Sequence, residues 1–229
     1  MRYLQLDFIR GVAIVSMVTF HICFDLNNFH FIDIDIYHGE FWRYFRYFIL
    51  TLFILCVGMA LVISRQNSLN LKKTLKRFLL LISLALLVSL ASYFTFPKTW
   101  IYFGVLHFIA FASVFGLLFI RFIWLNLFLG TAIIALYISG FINMHWLYEV
   151  LQTSLNLPKY TEDLVSFTPW FGVLLIGIFI AKKRLYLFPL KENKLTHSLG
   201  FLGKHSLLIY ILHQPIFFGF TYSADYLLH

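Results

Sequence analysis

One pattern runs the length of this chain: an apolar stretch of about 20 residues, a short polar break, then another apolar stretch. Seven such stretches lie near residues 7–27, 43–64, 78–96, 101–120, 122–141, 165–181 and 205–223. At about 1.5 Å per residue they can reach across a hydrocarbon core of about 30 Å, 165–181 being the shortest. Composition leaves no soluble alternative. The chain is 61% hydrophobic and 12% charged, against about 25% charged in a soluble domain. Disorder, collagen-like repeats and a disulfide scaffold are excluded as well. The two cysteines, Cys23 and Cys56, fall inside apolar runs, where small buried thiols are expected. The first stretch is not read as a cleavable signal, because it lacks a small-residue cleavage site and carries Arg10, His21 and Asp25. The expected fold is all-α: a polytopic membrane helical bundle of about seven transmembrane helices, forming one domain over residues 1–229.

The positive-inside rule orients these spans. Loop 65–77 holds Arg65, Lys72, Lys73, Lys76 and Arg77 with no acid. Loop 182–204 holds Lys182, Lys183, Arg184, Lys191, Lys194 and Lys204 against Glu192, and Arg121 falls on the same side. The opposite side carries Asp33, Asp35 and Glu40, then Glu149, Glu162 and Asp163 against Lys159. Alternation from a cytoplasmic N-terminus puts every basic loop inside. The net charge of +8 is therefore a topology and lipid-headgroup signal, and no nucleic-acid partner is expected. Within 142–164, Trp146, Leu147, Val150, Leu151 and Leu155 recur at helical spacing and predict a short interfacial helix, ended by Pro158. Thr168-Pro169-Trp170 predicts a helix start with Thr168 as cap.

Ionisable groups inside spans are costly and default to function. They are few. The first span has Asp7, Arg10, His21 and Asp25; the fourth has His107; the seventh has His213 beside Gln214. Arg43, Arg46 and His205 sit at span ends, where they can snorkel. Arg10 and His21 return to nearly the same helix face, roughly 16 Å apart along the axis. Asp7 precedes Arg10 by one turn and is expected to pair with it. Asp25 follows His21 by one turn and is expected to accept a hydrogen bond from its ring, fixing the tautomer. Gly11 permits a close helix approach. Pro215 frees the carbonyl one turn earlier, near Ile211. The competing reading of each histidine is a buried hydrogen bond that only glues helices together.

No phosphate-binding glycine loop, His-Glu-x-x-His or Glu-x-x-His pattern occurs, and no metal is expected. Three function classes stay open on the residues alone. They are an enzyme, a transporter or flippase using the buried charges as an ion or proton relay, and a haem or quinone redox protein.

The stretch Leu6-Asp7-Phe8-Ile9-Arg10-Gly11, followed by His21 and Asp25, resembles the opening of bacterial members of the heparan-alpha-glucosaminide N-acetyltransferase catalytic-domain family. This family lies within a transmembrane acyltransferase superfamily that includes acyltransferase type three. The Arg-Gly pair, ten residues and a His are similar to its first-helix pattern. Phe53 to Leu61, Phe103-Gly104-Val105-Leu106-His107, and Gly203-Lys204-His205-Ser206 running into Leu212-His213-Gln214-Pro215 are similar to later parts of the bacterial group.

The resemblance implies an integral membrane acyltransferase in a bacterial cytoplasmic membrane. The donor would be a cytoplasmic acyl-coenzyme A, with acetyl-CoA as the expected form. The acceptor would be a hydroxyl or amine on a glycan or small molecule, at or across the membrane. His21 would act as general base, Asp25 would orient it, and Arg10 would bind the coenzyme's phosphate or carbonyl. Lys72, Lys73, Lys76 and Arg77 would attract the coenzyme's phosphates. His107, His213, Gln214 and Asp7 would bind the acceptor or stabilise the oxyanion. Direct transfer and an acyl-His intermediate both stay open, as does a homo-oligomer.

Overall fold

The computed structural model describes residues 3–65, 70–161 and 163–228, with the side chains of 145–148 left out. Among the described residues the chain is helical, without strands. The helices are α1 (Leu4–Asn28), α2 (Glu40–Ile63), α3 (Leu71–Thr95), α4 (Val105–Phe119), α5 (Ile123–Ile138), α6 (His145–Leu155), α7 (Phe167–Lys182), α8 (Lys194–Lys204) and α9 (Ser206–Leu228). A helix satisfies its own backbone polar groups, which an apolar run in lipid requires. Four helices, α1, α2, α3 and α9, are long and apolar enough to cross a membrane, at 23–25 residues each. The remaining predicted spans form shorter apolar helices: α4, α5 and α7 have 15, 16 and 16 residues. Among the described residues the protein is thus a helical integral membrane protein with four helices long enough to span.

The chain divides into two compact units, 1–56 with 186–229 and 57–185. In the first, α1 packs on α8 and α9. Its core gathers Ile14, Met17, Phe20, Ile36 and Ile49. The loop after α1 is held by Asn27, whose Oδ1 accepts the Ile34 N–H at 2.8 Å. Helix α8 lies where the sequence predicts only a loop. Asn193 and Thr196 close a reciprocal cap at its start, the Thr196 N–H reaching Asn193 Oδ1 at 2.9 Å and the Asn193 N–H reaching Thr196 Oγ1 at 2.9 Å. Its small residues allow backbone contact with α1. A methyl group on Gly11 would collide with the Leu199 carbonyl, and one on Gly203 with the Asp7 carbonyl. The expected role of Gly11 in close approach is borne out, with α8 as the partner. Near the same end, Gln5 Nε2 donates to the Phe188 carbonyl at 3.4 Å and Tyr3 meets Tyr186 edge to face.

In the second unit, α5 crosses α7 through Gly130 and Gly172, each of whose missing side chains would meet the other's carbonyl oxygen. Asn126, fully buried, caps the end of α4 by donating from Nδ2 to the carbonyls of Phe119 and Phe122. At the other end of α4, Asp163 Oδ2 accepts the Val105 N–H at 3.2 Å, a carboxylate on a helix N-terminus. The segments before α4 and α7 are also tied by Thr161 Oγ1 to the Trp100 carbonyl at 2.9 Å and Val165 N–H to the Phe103 carbonyl at 3.2 Å. Lys183 stands over the Trp124 ring at 4.5 Å.

The helix expected within 142–164 exists as α6, and it exposes Val150 and Leu155. It stops three residues before Pro158, because Asn156 takes the left-handed conformation at φ 50°. The side chains of Trp146 and Leu147, and all of Glu162, lie outside the described residues. Thr168 has the extended backbone of a cap (φ −95°, ψ 134°), and regular helix resumes at Pro169 after a cis peptide bond. The Thr168 hydroxyl itself makes no cap bond. Both cysteines are free thiols, Cys56 buried and Cys23 half-buried.

Candidate functional site

The first unit brings four of the sequence-predicted residues together, two from α1 and two from α9. The rings of His21 and His213 lie 4.8 Å apart, centroid to centroid, with an interplanar angle of 63°. One turn further along α1, Asp25 is 0% exposed. Its Oδ1 accepts a hydrogen bond from Gln214 Nε2 at 2.9 Å. This corrects one expectation: Asp25 is engaged by Gln214 across the helix pair, not by His21 on its own helix. The two faces oppose one another, so the α9 amide reaches the carboxylate while the His21 ring turns to His213.

His213 has a defined tautomer. Its Nδ1 is 2.7 Å from the Tyr210 carbonyl oxygen. A carbonyl only accepts, so Nδ1 carries the proton and, in the neutral ring, Nε2 offers a lone pair. That Nε2 is buried and unpartnered. So are His21 Nδ1, Asp25 Oδ2 and Gln214 Oε1. Buried polar atoms are nearly always hydrogen-bonded, and each exception costs about 1–3 kcal/mol. Four such exceptions fall on two facing helices, where a water or a polar ligand would satisfy them. Aromatic side chains wall it: Phe20 lies 5.5 Å and Phe24 6.4 Å from the His21 ring, and Phe24 meets Tyr37 at 5.7 Å. Arg46 closes this wall by donating to the Tyr37 carbonyl at 3.2 Å and standing 5.9 Å from the Phe20 ring.

Toward the other end of α1, the expected Asp7–Arg10 pair forms, with Nη1 to Oδ1 at 3.3 Å. Asp7 is buried and Arg10 half-buried. The pair adjoins the Gly11 and Gly203 crossing, so α8 holds the backbone that presents it.

His107 belongs to the second unit, and its ring is engaged locally. Nδ1 accepts the Gly104 N–H at 3.3 Å, which leaves Nε2 to donate to Ser89 Oγ at 3.4 Å. Ser89 in turn donates to the Ile101 carbonyl at 2.5 Å. Lys72, Lys73, Lys76 and Arg77 all lie on the first turns of α3, and Asn70 Oδ1 caps that helix by accepting the Lys73 N–H at 3.0 Å.

Among the described residues, long apolar helices and a cluster of polar side chains between two of them have the make-up of an integral membrane protein. The chain belongs to the heparan-alpha-glucosaminide N-acetyltransferase family, whose catalytic-domain profile matches residues 2–215. The match begins before α1 and ends one residue past Gln214, so both histidines, Asp25 and Gln214 fall within it. It makes the chain a member of a membrane acetyltransferase-type family. No curated protein and no solved structure matches it.

Proposed function

We propose that the protein transfers an acetyl group from acetyl-CoA, bound at the cytoplasmic face, to a hydroxyl or amine acceptor carried on a glycan or small molecule. The observation that carries this reading is the cluster of unsatisfied polar atoms from His21, Asp25, His213 and Gln214. An acceptor group needs one partner to take its proton and others to hold it, and these four atoms offer that set. His21 acts as the base. His213, its ring held by the Tyr210 carbonyl, positions the acceptor through Nε2. Asp25 and Gln214 bind the acceptor's remaining polar groups. Arg10, oriented by Asp7, meets the coenzyme as a fixed cation.

The topology in this reading is seven spans with the N-terminus inside. It is supported by the Gln5 to Phe188 bond in the first unit, and by Lys183 over Trp124 and Thr161 on Trp100 in the second. Each joins segments that alternation puts on one side. The membrane is the bacterial cytoplasmic membrane, and lipid and a second copy are its expected partners.

The test is thiol release from acetyl-CoA by the purified protein, with amine and hydroxyl acceptors supplied in turn. Wild type should consume the thioester only with an acceptor present, and His21→Ala should stop it without unfolding the protein. If His21→Ala and Arg10→Ala both leave turnover intact, the site assignment fails. Movement of a solute without thioester consumption returns the protein to the transporter class.

A further inference from the structure

In the second unit, the end of α2, the start of α3 and the middle of α4 line a half-open cavity of about 90 Å³. By the share of space one water takes, it holds a few waters or one tetrahedral anion. Its rim is cationic, with Arg65, Lys73 and Arg77. Its apolar lining is Leu61, Phe78, Leu81 and Val114. Among the described residues no carboxylate lines it.

The rim is organised. Arg65 Nη2 donates to Thr74 Oγ1 at 3.2 Å, and Thr74 Oγ1 donates to the Asn70 carbonyl at 3.1 Å. The guanidinium is therefore tied across from α2 to the first turn of α3. That turn carries no acid, so the positive end of the α3 dipole adds to the same field. Lys73 and Arg77 are one turn apart and share a face. Lys72 and Lys76 belong to the same basic run but do not line the cavity. Behind the cations, Ser113 Oγ on α4 lines the cavity, and it is buried without a hydrogen-bond partner. Among the described residues nothing receives its proton.

We infer that this cavity binds a phosphate group borne on a ligand with an adjoining apolar part, the phosphate held by Arg65, Lys73, Arg77 and Ser113 and the apolar part by Leu61, Leu81 and Val114. Two sources carry that chemistry. One is a phosphate of the coenzyme, and this arm rests on the acyl-transfer reading. The other is the headgroup of an anionic phospholipid, and this arm does not.

The full chain is reconstituted in phosphatidylcholine nanodiscs. Coenzyme A and its 3′-dephospho form are titrated by calorimetry. Phosphatidylglycerol uptake is measured in parallel by native mass spectrometry. For whichever ligand occupies the cavity, Arg65→Gln and Lys73→Gln should each weaken binding about tenfold or more, the scale of a lost charge-assisted hydrogen bond. Lys72→Gln and Lys76→Gln should change it less than about twofold, as rim charges on a screened surface do. Arg77→Lys, which keeps the charge and the fold, should retain more affinity than Arg77→Gln. A loss confined to coenzyme A identifies the coenzyme, and one confined to phosphatidylglycerol identifies the lipid. Binding of neither ligand by wild type overturns the inference. So does an equal loss in the Lys72 and Lys76 variants, which would mean diffuse attraction without a pocket. Turnover that persists while both ligands fail to bind here removes the pocket alone and leaves the acyl-transfer reading standing.

Discussion

The two buried histidine clusters of this protein have the same ingredients and opposite outcomes. In the second unit, His107 gives Nδ1 to the Gly104 N–H and Nε2 to Ser89, whose hydroxyl passes on to the Ile101 carbonyl. Its hydrogen-bonding capacity is spent on the start of its own helix. In the first unit, His21 and His213 face each other with one nitrogen of each left open, and Asp25 and Gln214 bond once while each keeps a second oxygen bare. The first arrangement gains its full stabilisation without a ligand. The second carries a desolvation cost that a bound water or polar ligand would remove. Burial alone therefore does not set the two histidine clusters apart; the unfilled valence does.

The sharpest way to break this contrast is to remove one side chain from each cluster. His21→Ala should lower acetyl transfer by about 10²–10⁴-fold, the range of a lost general base, while the thermal transition stays within a few degrees of wild type. A variant that keeps turnover would place the base elsewhere. Next in size is the Asp25 and Gln214 pair. Asp25→Ala strands the Gln214 amide and should lower turnover and stability together, by about 1–3 kcal/mol in stability. Asp25→Asn keeps the shape and should recover most of the stability and little of the turnover. Equal recovery of both would make Asp25 a purely structural partner.

His107→Ala gives the opposite split. It strands the Gly104 N–H and costs about 1–2 kcal/mol of stability, read as a lower midpoint of thermal unfolding in detergent. Turnover per folded molecule should stay near wild type, and a selective loss of turnover would bring His107 back as an acceptor-binding group. The smallest effect belongs to Gly219 on α9, whose missing side chain points into open space. Gly219→Ala should leave turnover unchanged and raise stability by up to about 1 kcal/mol.

Much of the helical layout was legible because apolar runs announce themselves, and each of the seven runs became a helix. The run lengths marked only the sixth as short. Helix α4 is held to 15 residues by Asn126 at one end and Asp163 at the other. Helix α8 escaped notice because its stretch is rich in lysine and has no span-length apolar run. Its helix shows only in the Asn193 and Thr196 cap and in the spacing of Gly200 and Gly203. At the site, the Asp7–Arg10 pair was readable because both partners lie one turn apart. The Asp25 to Gln214 bond was not, because its partners are 189 residues apart and local spacing favoured His21. The sorting of the basic run, with Lys73 and Arg77 at the cavity and Lys72 and Lys76 away from it, needed the position of α4.

The hold of the Tyr210 carbonyl on His213 has one more consequence. A proton that arrives at Nε2 has no exit through Nδ1, because the atom beyond is a peptide oxygen that cannot take it and pass it on. The ring is a cul-de-sac: what enters from the His21 side must leave by the same door. A relay that carries protons through a membrane needs through traffic at each station. A hydrogen bond taken up and released at Nε2 needs none, and with Nδ1 committed to Tyr210 that is what the ring is placed to offer.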